Sequence, residues 1–527
     1  MSIEIVALTV VVLADALLGL LSQIFWWQRK EYRWDRIKVH LVGSEGAPRH
    51  YFLVLLAMVS AALGGLFGHS SAFALHFFPW LTLLAVLAHH LIRIRRQGML
   101  RPDMTLKARL VFVVATVLIY LLLTIGIRIL GEPDIFIIVA FLVAFLPLIV
   151  AAAVGLVNIP AWVRKQQIIR QAAFDRNKVH PAVVGITGSV GKTSTKFFLH
   201  QLLEQASRSV RSTKQHRNSE FTVAQDMLEQ LTSDIDVYVA EMGAYRKNEI
   251  KLLAALAQPS VGVITAIGNQ HIALFGSRES LLNAKWELID ALPKNGTAVL
   301  NADDQLLQQR AKSFTGTIIW YSIHKQVDVY MSDVTLGSTE TTATLHIQDG
   351  SYPITLPLVS EGLLISFTAA AATAHALGVE ASVIAEAASS MKSFSRTMEI
   401  RSGKNSSIVI DDSYSASEDA VCNAVKHLSQ FPRSDKRVIM VPVIELGTEG
   451  SAVHTRLSKV LAASKARVFV YGDTFAEELS SAIPADQISW FADAKALASA
   501  ATEGVSKDTV VLLEGRIPAV VRKSFFL

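Results

Sequence analysis

Apolar residues are concentrated in the first third of the chain, where they form five long runs. Each run has roughly 18–25 residues, enough for a helix to cross the roughly 30 Å hydrocarbon core of a membrane. The runs are Ile3–Trp27, Tyr51–Gly68, Ala72–Ile92, Leu110–Leu130 and Ile135–Val157. This pattern predicts a membrane domain of five α-helices over residues 1–160.

The connections between these runs alternate in charge. Those after the first, third and fifth runs are rich in Lys and Arg, whereas the second and fourth contain neither. Cytoplasmic loops collect basic residues, so we expect a multi-pass protein of the inner (cytoplasmic) membrane with its N-terminus outside and its remainder cytoplasmic. A cleaved signal peptide is the alternative for the first run, which lacks a basic leader and an A-x-A-like site. Asp15 in that run needs either a polar partner or a position near the interface.

From about Pro181 the pattern changes to short β-branched runs that alternate with amphipathic stretches, which is typical of parallel-sheet α/β domains. We expect a first α/β domain at 181–395, preceded by a cytoplasmic linker at 161–180. Alternation over 328–358 predicts a small antiparallel excursion, and an Ala-rich helix is expected at Ser366–Leu377. The other predicted elements are strands Ala182–Thr187, Val237–Glu241, Val261–Thr265 and Thr297–Leu300, and helices Lys192–Gln205 and Ser277–Leu292.

A second α/β series begins near Ile408 and predicts a separate, Rossmann-like C-terminal domain at 396–527. Its boundary is expected within Ser393–Arg401, where polar residues separate a helix from a strand. The predicted strands are Ile408–Asp411, Arg437–Val443, Arg467–Tyr471 and Thr509–Leu513.

Composition narrows the possible partners. The hydrophobic fraction of 51% is high for a purely soluble protein. The net charge of +5 invites a nucleic-acid hypothesis, but the basic residues cluster beside the apolar runs, where anionic membrane lipid is the better partner. We therefore expect no nucleic-acid partner. Cys422 is the single cysteine, which excludes an internal disulfide and a thiolate metal cluster.

A phosphate-binding loop follows the first predicted strand and opens a helix. Its glycines let backbone N–H groups face a phosphate, and the helix N-terminus adds a favourable dipole. Lys192 can reach the outer phosphates of ATP, and the Thr193 hydroxyl can bind Mg²⁺. Ile186 stands where the longer form of the motif has its first glycine, so a glycine turn without a ligand is the alternative. The nucleotide-binding residues are expected to be Gly188, Ser189, Val190, Gly191, Lys192, Thr193 and Ser194.

Three segments that follow the loop in the sequence contain further candidate functional residues. They are E-M-G-A at 241–244, T-A-I-G-N-Q-H at 265–271 and A-K-W-E at 284–287. In this order they resemble motifs of the Mur ligases, most closely the MurF family, which adds D-Ala-D-Ala to UDP-MurNAc-tripeptide. The resemblance runs from about residue 180 to the end. It implies that Glu241 and His271 are associated with Mg²⁺, and that Lys285 is carbamylated and presents a carboxylate-like group to the metal.

The same resemblance extends to later segments, N-A-D-D at 301–304, S-R-T-M-E at 395–399 and D-D-S-Y-S-A at 411–416. It implies that Asn301 and Asp303 contact the nucleotide, although turn chemistry alone also favours Asn and Asp there. It further implies that Arg396 acts with Lys192 on the phosphates, and that Asp412 approaches the nucleotide from the C-terminal domain. Glu445-Leu446-Gly447 and His454 resemble a family segment with a structural role.

The chain also departs from the family pattern. Gly362-Leu363-Leu364-Ile365-Ser366 is apolar where the family has G-x-H-N-x-x-N, and Ser415 replaces an Asn. Glu514 replaces a Lys, which reverses a charge near the acceptor or the incoming amine. The family's UDP-sugar-binding domain has no counterpart, and the five predicted membrane helices occupy its place.

The resemblance implies an ATP-dependent carboxylate–amine ligase of the Mur type that works through an acyl phosphate. Its expected partners are an amino acid or dipeptide amine and a muramyl-peptide-like carboxylate acceptor, which is UDP-linked or lipid-linked. The alternatives are a membrane-tethered poly-γ-glutamate-type synthase, a membrane P-loop ATPase that powers transport or signalling, and a catalytically silent scaffold. The sequence identifies neither the amine nor the oligomeric state.

Overall fold

The structure is a computed structural model that forms two compact units, Met1–Gln166 and Gln167–Leu527. It describes residues 3–29, 102–130, 145–244, 246–268, 277–392, 394–414, 416–443 and 449–526, with isolated positions between these ranges. The first unit is helical where it is described, and the second carries two β-sheets flanked by helices.

Three long helices are described in the N-terminal part: α1 (Ile3–Arg29), α2 (Leu106–Leu130) and α3 (Leu146–Val179), which continues past the boundary of the units. Trp27 of α1 and Val111 of α2 belong to one buried apolar cluster. Within the described residues, two helical stretches are long and apolar enough to cross a membrane. They are Leu106–Ile129 and Leu146–Val179.

The predicted membrane domain is therefore tested only in part. The runs predicted at Ile3–Trp27 and Leu110–Leu130 are helical, and part of the fifth run lies in α3. The runs predicted at Tyr51–Gly68 and Ala72–Ile92 lie almost entirely outside the described residues. A five-helix, multi-pass topology stays a prediction.

The first sheet holds nine strands among the described residues, in the order β2-β3-β1-β4-β5-β6-β7-β8-β9. Strands β1 to β7 pair in parallel, and β7, β8 and β9 pair antiparallel. The strands are β1 (Ala182–Thr187), β2 (Val210–Ser212), β3 (Val237–Glu241), β4 (Val261–Ile264), β5 (Thr297–Asn301), β6 (Thr317–Ser322), β7 (Val329–Leu336), β8 (Thr341–Ile347) and β9 (Gly350–Leu356).

Helices cover both faces of this sheet because successive strand residues point to opposite sides. Val184 and Ile186 pack toward α4 (Lys192–Gln205) and α9 (Glu361–Ala376), whereas Val183 packs toward the other face. The helices of that second face are α5 (Glu220–Gln230), α6 (Glu249–Ala257), α7 (Arg278–Asp290) and α8 (Gln305–Ala311).

The last turns of α3, within the predicted linker, also pack on the second face. Ala172 is buried there, and Arg176 donates to the carbonyl oxygens of Ala257 and Gln258 at 3.1 Å and 2.9 Å. These two carbonyls end α6, so the cation satisfies acceptors that have no partner within their own helix.

The second sheet has the order β10-β11-β15-β12-β13-β14 among the described residues. All of its pairs are parallel except β10 with β11. Its strands are β10 (Glu399–Ser402), β11 (Ile408–Asp412), β12 (Asp435–Met440), β13 (Arg467–Tyr471), β14 (Ile488–Phe491) and β15 (Thr509–Glu514). Its helices are α11 (Glu418–Gln430), α12 (Gly450–Ser464), α13 (Ala476–Ser480), α14 (Ala494–Thr502) and α15 (Ala519–Ser524), and α10 (Ala381–Ala387) precedes the sheet.

The α/β prediction is confirmed in both parts. Strands β1, β3 and β13 have the predicted bounds, and the antiparallel excursion is formed by β7, β8 and β9. The prediction missed the short strands β2, β6, β10 and β14. The Ala-rich helix begins at Glu361 rather than Ser366, because the Ser360 side chain accepts from the Leu363 amide and caps it.

Candidate active site

The phosphate loop joins β1 to α4 in a conformation that requires glycine at two positions. Gly188 has φ 145° and Gly191 has φ 83°, in the range that residues with a Cβ rarely adopt. A Cβ on Gly188 would lie 1.9 Å from Thr265 Oγ1, so side-chain sterics forbid a larger residue as well. The loop backbone thus packs directly against the end of β4.

Hydrogen bonds from neighbouring strands fix this loop. The Ser189 amide donates to the Ala266 carbonyl at 2.8 Å, and the Thr265 hydroxyl donates to the Val190 carbonyl. The Ser189 hydroxyl is buried and has no hydrogen-bond partner among the described residues. A buried hydroxyl without a partner in such a loop is suited to donate a hydrogen bond to a phosphate oxygen.

Lys192 lies at the first turn of α4, where its ammonium group donates to the Gly188 carbonyl at 2.7 Å and the Ser189 carbonyl at 3.2 Å. Burial lowers the pKa of Lys192, and the charge of Glu241 opposes that effect. The Lys192 side chain therefore lies along the loop, and the Glu241 carboxylate is close enough to favour its protonated form.

Glu241 ends β3 beside the loop and is 7% exposed. Its Oε2 accepts from Thr193 Oγ1 at 3.1 Å and pairs with Lys196 Nζ at 2.9 Å. Burial raises the pKa of Glu241, but the charges of Lys196 and Lys192 together with the hydrogen bonds from Lys196 and Thr193 hold it below its ordinary value. An ionised carboxylate beside a threonine hydroxyl is the kind of pair that binds Mg²⁺ together with nucleotide phosphates.

Thr193 and Glu241 are therefore suited to bind a Mg²⁺ ion whose other ligands include the phosphates of the nucleotide. No group of three His, Cys, Asp or Glu side chains suited to a metal is found in the part of the chain that the structure describes. Mg²⁺ needs only one or two carboxylates when phosphates complete its shell, so this finding agrees with the fit. His271, a predicted metal-associated residue, lies outside the described residues.

Lys285 is carried by α7 and is 1% exposed. Burial lowers its pKa to about 7; the charge of Lys192 acts in the same direction, whereas Glu249 and Glu287 raise it. An amine with this pKa is about half neutral at pH 7, and only the neutral form can attack carbon dioxide.

Glu287 of the same segment has a structural role in this fold. Its two carboxylate oxygens accept from the amides of Asn248 and Lys251 at 2.7 Å and 3.0 Å. These amides open α6, so the carboxylate caps that helix and ties it to α7.

Hydrogen bonds to neighbouring parts of the fold hold the N-A-D-D segment at 301–304 in place. Asn301 Nδ2 donates to the Thr265 carbonyl at 3.0 Å, which links β5 to the loop's neighbour β4. Asp303 accepts from the Ser322 hydroxyl at 2.6 Å, and Asp304 accepts from the Ile267 amide at 2.7 Å. The described contacts are those of a supporting turn, and nucleotide contact by Asn301 and Asp303 stays a prediction.

Tyr414 extends from the end of β11 in the second sheet to the phosphate loop. Burial raises the pKa of the Tyr414 phenol, as does the charge of Glu241, whereas a hydrogen bond with the Thr193 side chain lowers it. His216 stacks on its ring at 5.9 Å between centroids, and the guanidinium carbon of Arg396 lies 5.6 Å from the ring centroid. Tyr414 of the C-terminal α/β part therefore lies beside Thr193 of the first α/β part.

Asp411 and Asp412 precede Tyr414 and point into the C-terminal part. Asp411 accepts from the Ser413 amide at 3.1 Å, and Asp412 accepts from the Met398 amide at 3.1 Å. Burial raises the pKa of Asp412 to about 7, and the charge of Asp411 adds to that effect. Direct nucleotide contact by Asp412 stays a prediction.

The departures from the family pattern have physical consequences. Leu363 and Leu364 are buried residues of α9 and belong to the core cluster, so this segment contributes packing. Ser366 Oγ would lie 3.1 Å from a Cβ on Gly191, which places α9 against the loop. His454 accepts from the Val443 amide at 3.1 Å and hydrogen-bonds to the Gly450 carbonyl at 2.7 Å, as expected of a structural residue. Ser415, Glu445 and Gly447 lie outside the described residues.

Sequence reasoning missed two contributors to the site. Lys196 follows Lys192 by four residues, so it lies one helical turn further along α4 on the same face. That spacing was the available signal. Tyr414 was read only as part of D-D-S-Y-S-A, and its contact with Thr193 depends on how the two sheets pack, which no local pattern encodes.

Residues 186–374 match the Mur ligase middle domain, and residues 396–517 match the Mur ligase glutamate ligase domain. Two similar proteins are named UDP-N-acetylmuramoyl-tripeptide--D-alanyl-D-alanine ligase. The one from Bacillus subtilis is 28% identical over 63% of this chain and 72% of its own length. The one from Haemophilus influenzae is 31% identical over 55% of this chain and 63% of its own length.

A solved structure of MurF from Thermotoga maritima in complex with ADP is 25% identical, with a TM-score of 0.60 over 68% of this chain and 83% of that one. The fold, the site and these matches define the class, an ATP-dependent acid–amino acid ligase. The chain belongs to the Mur ligase family and carries its middle and C-terminal domains.

Proposed function

We propose that this chain joins a carboxylate to an amine through an acyl phosphate, and that it adds D-Ala-D-Ala or a similar amine to a muramyl-peptide-like acceptor. One observation carries the proposal: Thr193, Glu241 and Tyr414 meet at the phosphate loop, so both Mur ligase domains contribute to one site. The relatives named for D-alanyl-D-alanine ligation support the choice of amine.

In the first step a carboxylate oxygen of the acceptor attacks the γ-phosphorus of ATP, and ADP leaves. Lys192 and Arg396 would neutralise the charge that spreads over the transferring group. Thr193 and Glu241 would hold Mg²⁺, which would supply positive charge beside the phosphates. Asn301 and Asp303 would support the nucleotide side of the site.

In the second step the amine nitrogen attacks the acyl carbon, inorganic phosphate leaves, and the nitrogen loses a proton. The amide forms readily because phosphate is a good leaving group. Contact between the two domains through Tyr414 would exclude water, which competes with the amine for the acyl phosphate.

Lys285 is proposed to be carbamylated. Its neutral amine would add carbon dioxide and release one proton, giving an N-carboxylate at the end of the side chain. Burial and the low pKa support this reaction, since a lysine in water is almost wholly protonated at pH 7. Together with Glu241 the carbamate would provide negative charge for the metal, and His271 would offer a neutral ring nitrogen.

We also propose that the N-terminal unit tethers the enzyme to the cytoplasmic membrane, with its catalytic domains cytoplasmic and its N-terminus outside. The apolar helices α2 and α3 support this proposal. A tethered enzyme would meet a lipid-linked acceptor at the inner leaflet, where anionic headgroups attract the basic residues near the helices.

The experiment uses the full-length chain in detergent, with ATP, Mg²⁺ and bicarbonate. Phosphate release is measured with UDP-linked and lipid-linked muramyl tripeptide, each with D-Ala-D-Ala or with glutamate. We expect release that requires both acceptor and amine, and none from Gly188→Ala. Release that ignores both substrates would refute the ligase proposal and favour an ATPase, whereas release with glutamate alone would favour a poly-γ-glutamate-type synthase.

A further inference from the structure

The segment that joins the two sheets has an unusual backbone beside the active site. Arg396 and Met398 have φ values of 64° and 46°, in the left-handed region that residues other than glycine rarely adopt. Such conformations persist only where surrounding contacts hold them, and they are often found at functional sites.

Three hydrogen bonds hold this backbone. The Arg396 amide donates to Glu399 Oε2 at 2.9 Å, and the Tyr414 amide donates to the Arg396 carbonyl at 3.0 Å. The Met398 amide donates to Asp412 Oδ1 at 3.1 Å. Asp412 is thus the residue through which β11 fixes the second left-handed position.

Asp412 in turn lies against Glu514. The two residues are register partners on the neighbouring parallel strands β11 and β15, and their side chains are on the same face. Glu514 is fully buried, and neither of its carboxyl oxygens has a hydrogen-bond donor among the described residues. Two buried like charges would repel each other, so at least one of the two carboxyl groups carries a proton, which it can donate to the other.

Among the described residues, no cation is found to form an ion pair with Asp412 or Glu514. Of the groups that act on the pair, Asp411 adds negative charge, and Arg522 approaches Asp411 Oδ2 at 3.9 Å rather than either member of the pair. Burial and mutual repulsion raise the pKa of Glu514 well above its ordinary value, in agreement with the shared proton.

We propose that Asp412 and Glu514 form a positioning pair whose shared proton holds Asp412 on the Met398 amide and thereby sets the direction of Arg396 toward the phosphate loop. The inference rests on the proposed function, because Arg396 is there the residue that acts on the phosphates. Tyr414 carries the effect to the site: its backbone binds Arg396, its ring faces the guanidinium, and its hydroxyl meets Thr193. In this proposal Glu514, which replaces a Lys of the family pattern, positions Asp412 and does not contact the substrate.

Three variants of the full-length chain test the pair. Asp412→Ala removes the acceptor, so we expect kcat to fall by about tenfold to a hundredfold while the KM values for ATP and amine stay within about threefold. Asp412→Asn keeps an oxygen for Met398 and offers an N–H to Glu514, so it should restore most of the activity. We expect kcat of the wild type to fall as the pair loses its proton at high pH, and Glu514→Gln, which supplies a donor that does not titrate, should remove that loss.

Amide hydrogen exchange over residues 394–400 provides a measurement that needs no activity. We expect faster exchange in Asp412→Ala and protection close to wild type in Asp412→Asn. Asp493→Ala is the matched control, because Asp493 also accepts backbone N–H groups, at the start of α14 beside the opposite edge strand of the sheet. It should leave exchange at 394–400 and kcat unchanged.

Two results would overturn the positioning role. Unchanged exchange in Asp412→Ala would show that Asp412 does not hold the linker. Equal loss of kcat in Asp412→Asn and Asp412→Ala would show that the charge itself is needed, as in direct nucleotide contact. A wild-type chain without amine-dependent turnover would instead refute the proposed function, and the exchange measurement would still decide whether the pair holds the segment.

Discussion

Lys285 should destabilise the fold in its protonated form and yet be required for activity. The most direct perturbation is Lys285→Met, which keeps an unbranched side chain of similar length and removes the ionisable amine. Lys285 is buried, and its pKa falls from the ordinary 10.5 to about 7. The native state therefore favours the neutral amine, whereas the unfolded chain keeps the proton up to about pH 10.

The sign and size of the effect follow from this difference. Because folding lowers the pKa, this stability is fully present above pH 10.5, is lost progressively as pH falls from 10.5 to about 7, and changes little below 7. At about 1.4 kcal/mol per pKa unit, the buried amine costs on the order of 5 kcal/mol at pH 6 and about 2 kcal/mol at pH 9. Relaxation of the site reduces these values, so we expect Lys285→Met to gain about 2–4 kcal/mol at pH 6.

Denaturant unfolding followed by fluorescence measures this gain. Trp286 is the next residue and is 2% exposed, so its emission reports the local environment. The stability difference between variant and wild type should shrink from pH 6 to pH 9. It should also shrink in bicarbonate, since carbamylation of the native state alone stabilises the wild type by mass action. The variant should lose amine-dependent phosphate release throughout.

Lys251→Met is the matched control, because Lys251 is exposed on the neighbouring helix α6. Its stability should differ from wild type by about 0.5 kcal/mol or less at every pH. If Lys285→Met were less stable than wild type at pH 6, the ammonium would have to be well paired in the fold, and the reasoning would fail. Full turnover in the variant would remove Lys285 from the mechanism.

Three further changes test other contacts. Gly188→Ala should abolish ATP binding in a nucleotide-binding assay, because its Cβ would lie 1.9 Å from Thr265 Oγ1. Glu241→Gln should raise the Mg²⁺ concentration for half-maximal activity by about tenfold or more while ATP still binds, since it loses the charge that faces Thr193 and Lys196. Glu514→Gln should be more stable than wild type at pH 8.5 and not at pH 5, because burial and the charge of Asp412 raise the pKa of Glu514 well above its ordinary value, and the stability of its protonated form is lost as pH rises above the ordinary carboxyl range.

Local chemistry made much of the first sheet predictable. Ala182–Thr187 is a continuous apolar run that ends at a glycine turn, and its bounds are those of β1. Val237–Glu241 is bounded in the same way by polar residues. Strands β10 and β14 have four residues each and are only partly buried, so they lack the continuous apolar run that marked the equally short but fully buried β4.

Motif order found the phosphate loop, Glu241 and Lys285, but it did not give each residue its partners. Glu287 belongs to the same motif as Lys285, yet its carboxylate caps α6. Lys196 has no place in the loop signature, yet it forms the ion pair with Glu241. A motif states which residue types occur together, whereas hydrogen bonding is decided by neighbours that lie far away in sequence.

The charge near the phosphate loop explains why Lys285 and Glu241 differ so much in protonation although both are buried. Glu241 lies beside the cations of Lys192 and Lys196, and their charges, with the hydrogen bonds from Lys196 and Thr193, hold it ionised against the cost of burial. Lys285 feels the charge of Lys192 in the same sense as burial, so it is driven toward the neutral form. Lys192 thus favours the ionised form of Glu241 on β3 and the neutral amine of Lys285 on α7. Carbamylation would turn that amine into a second anion, which the charge of Lys192 also favours.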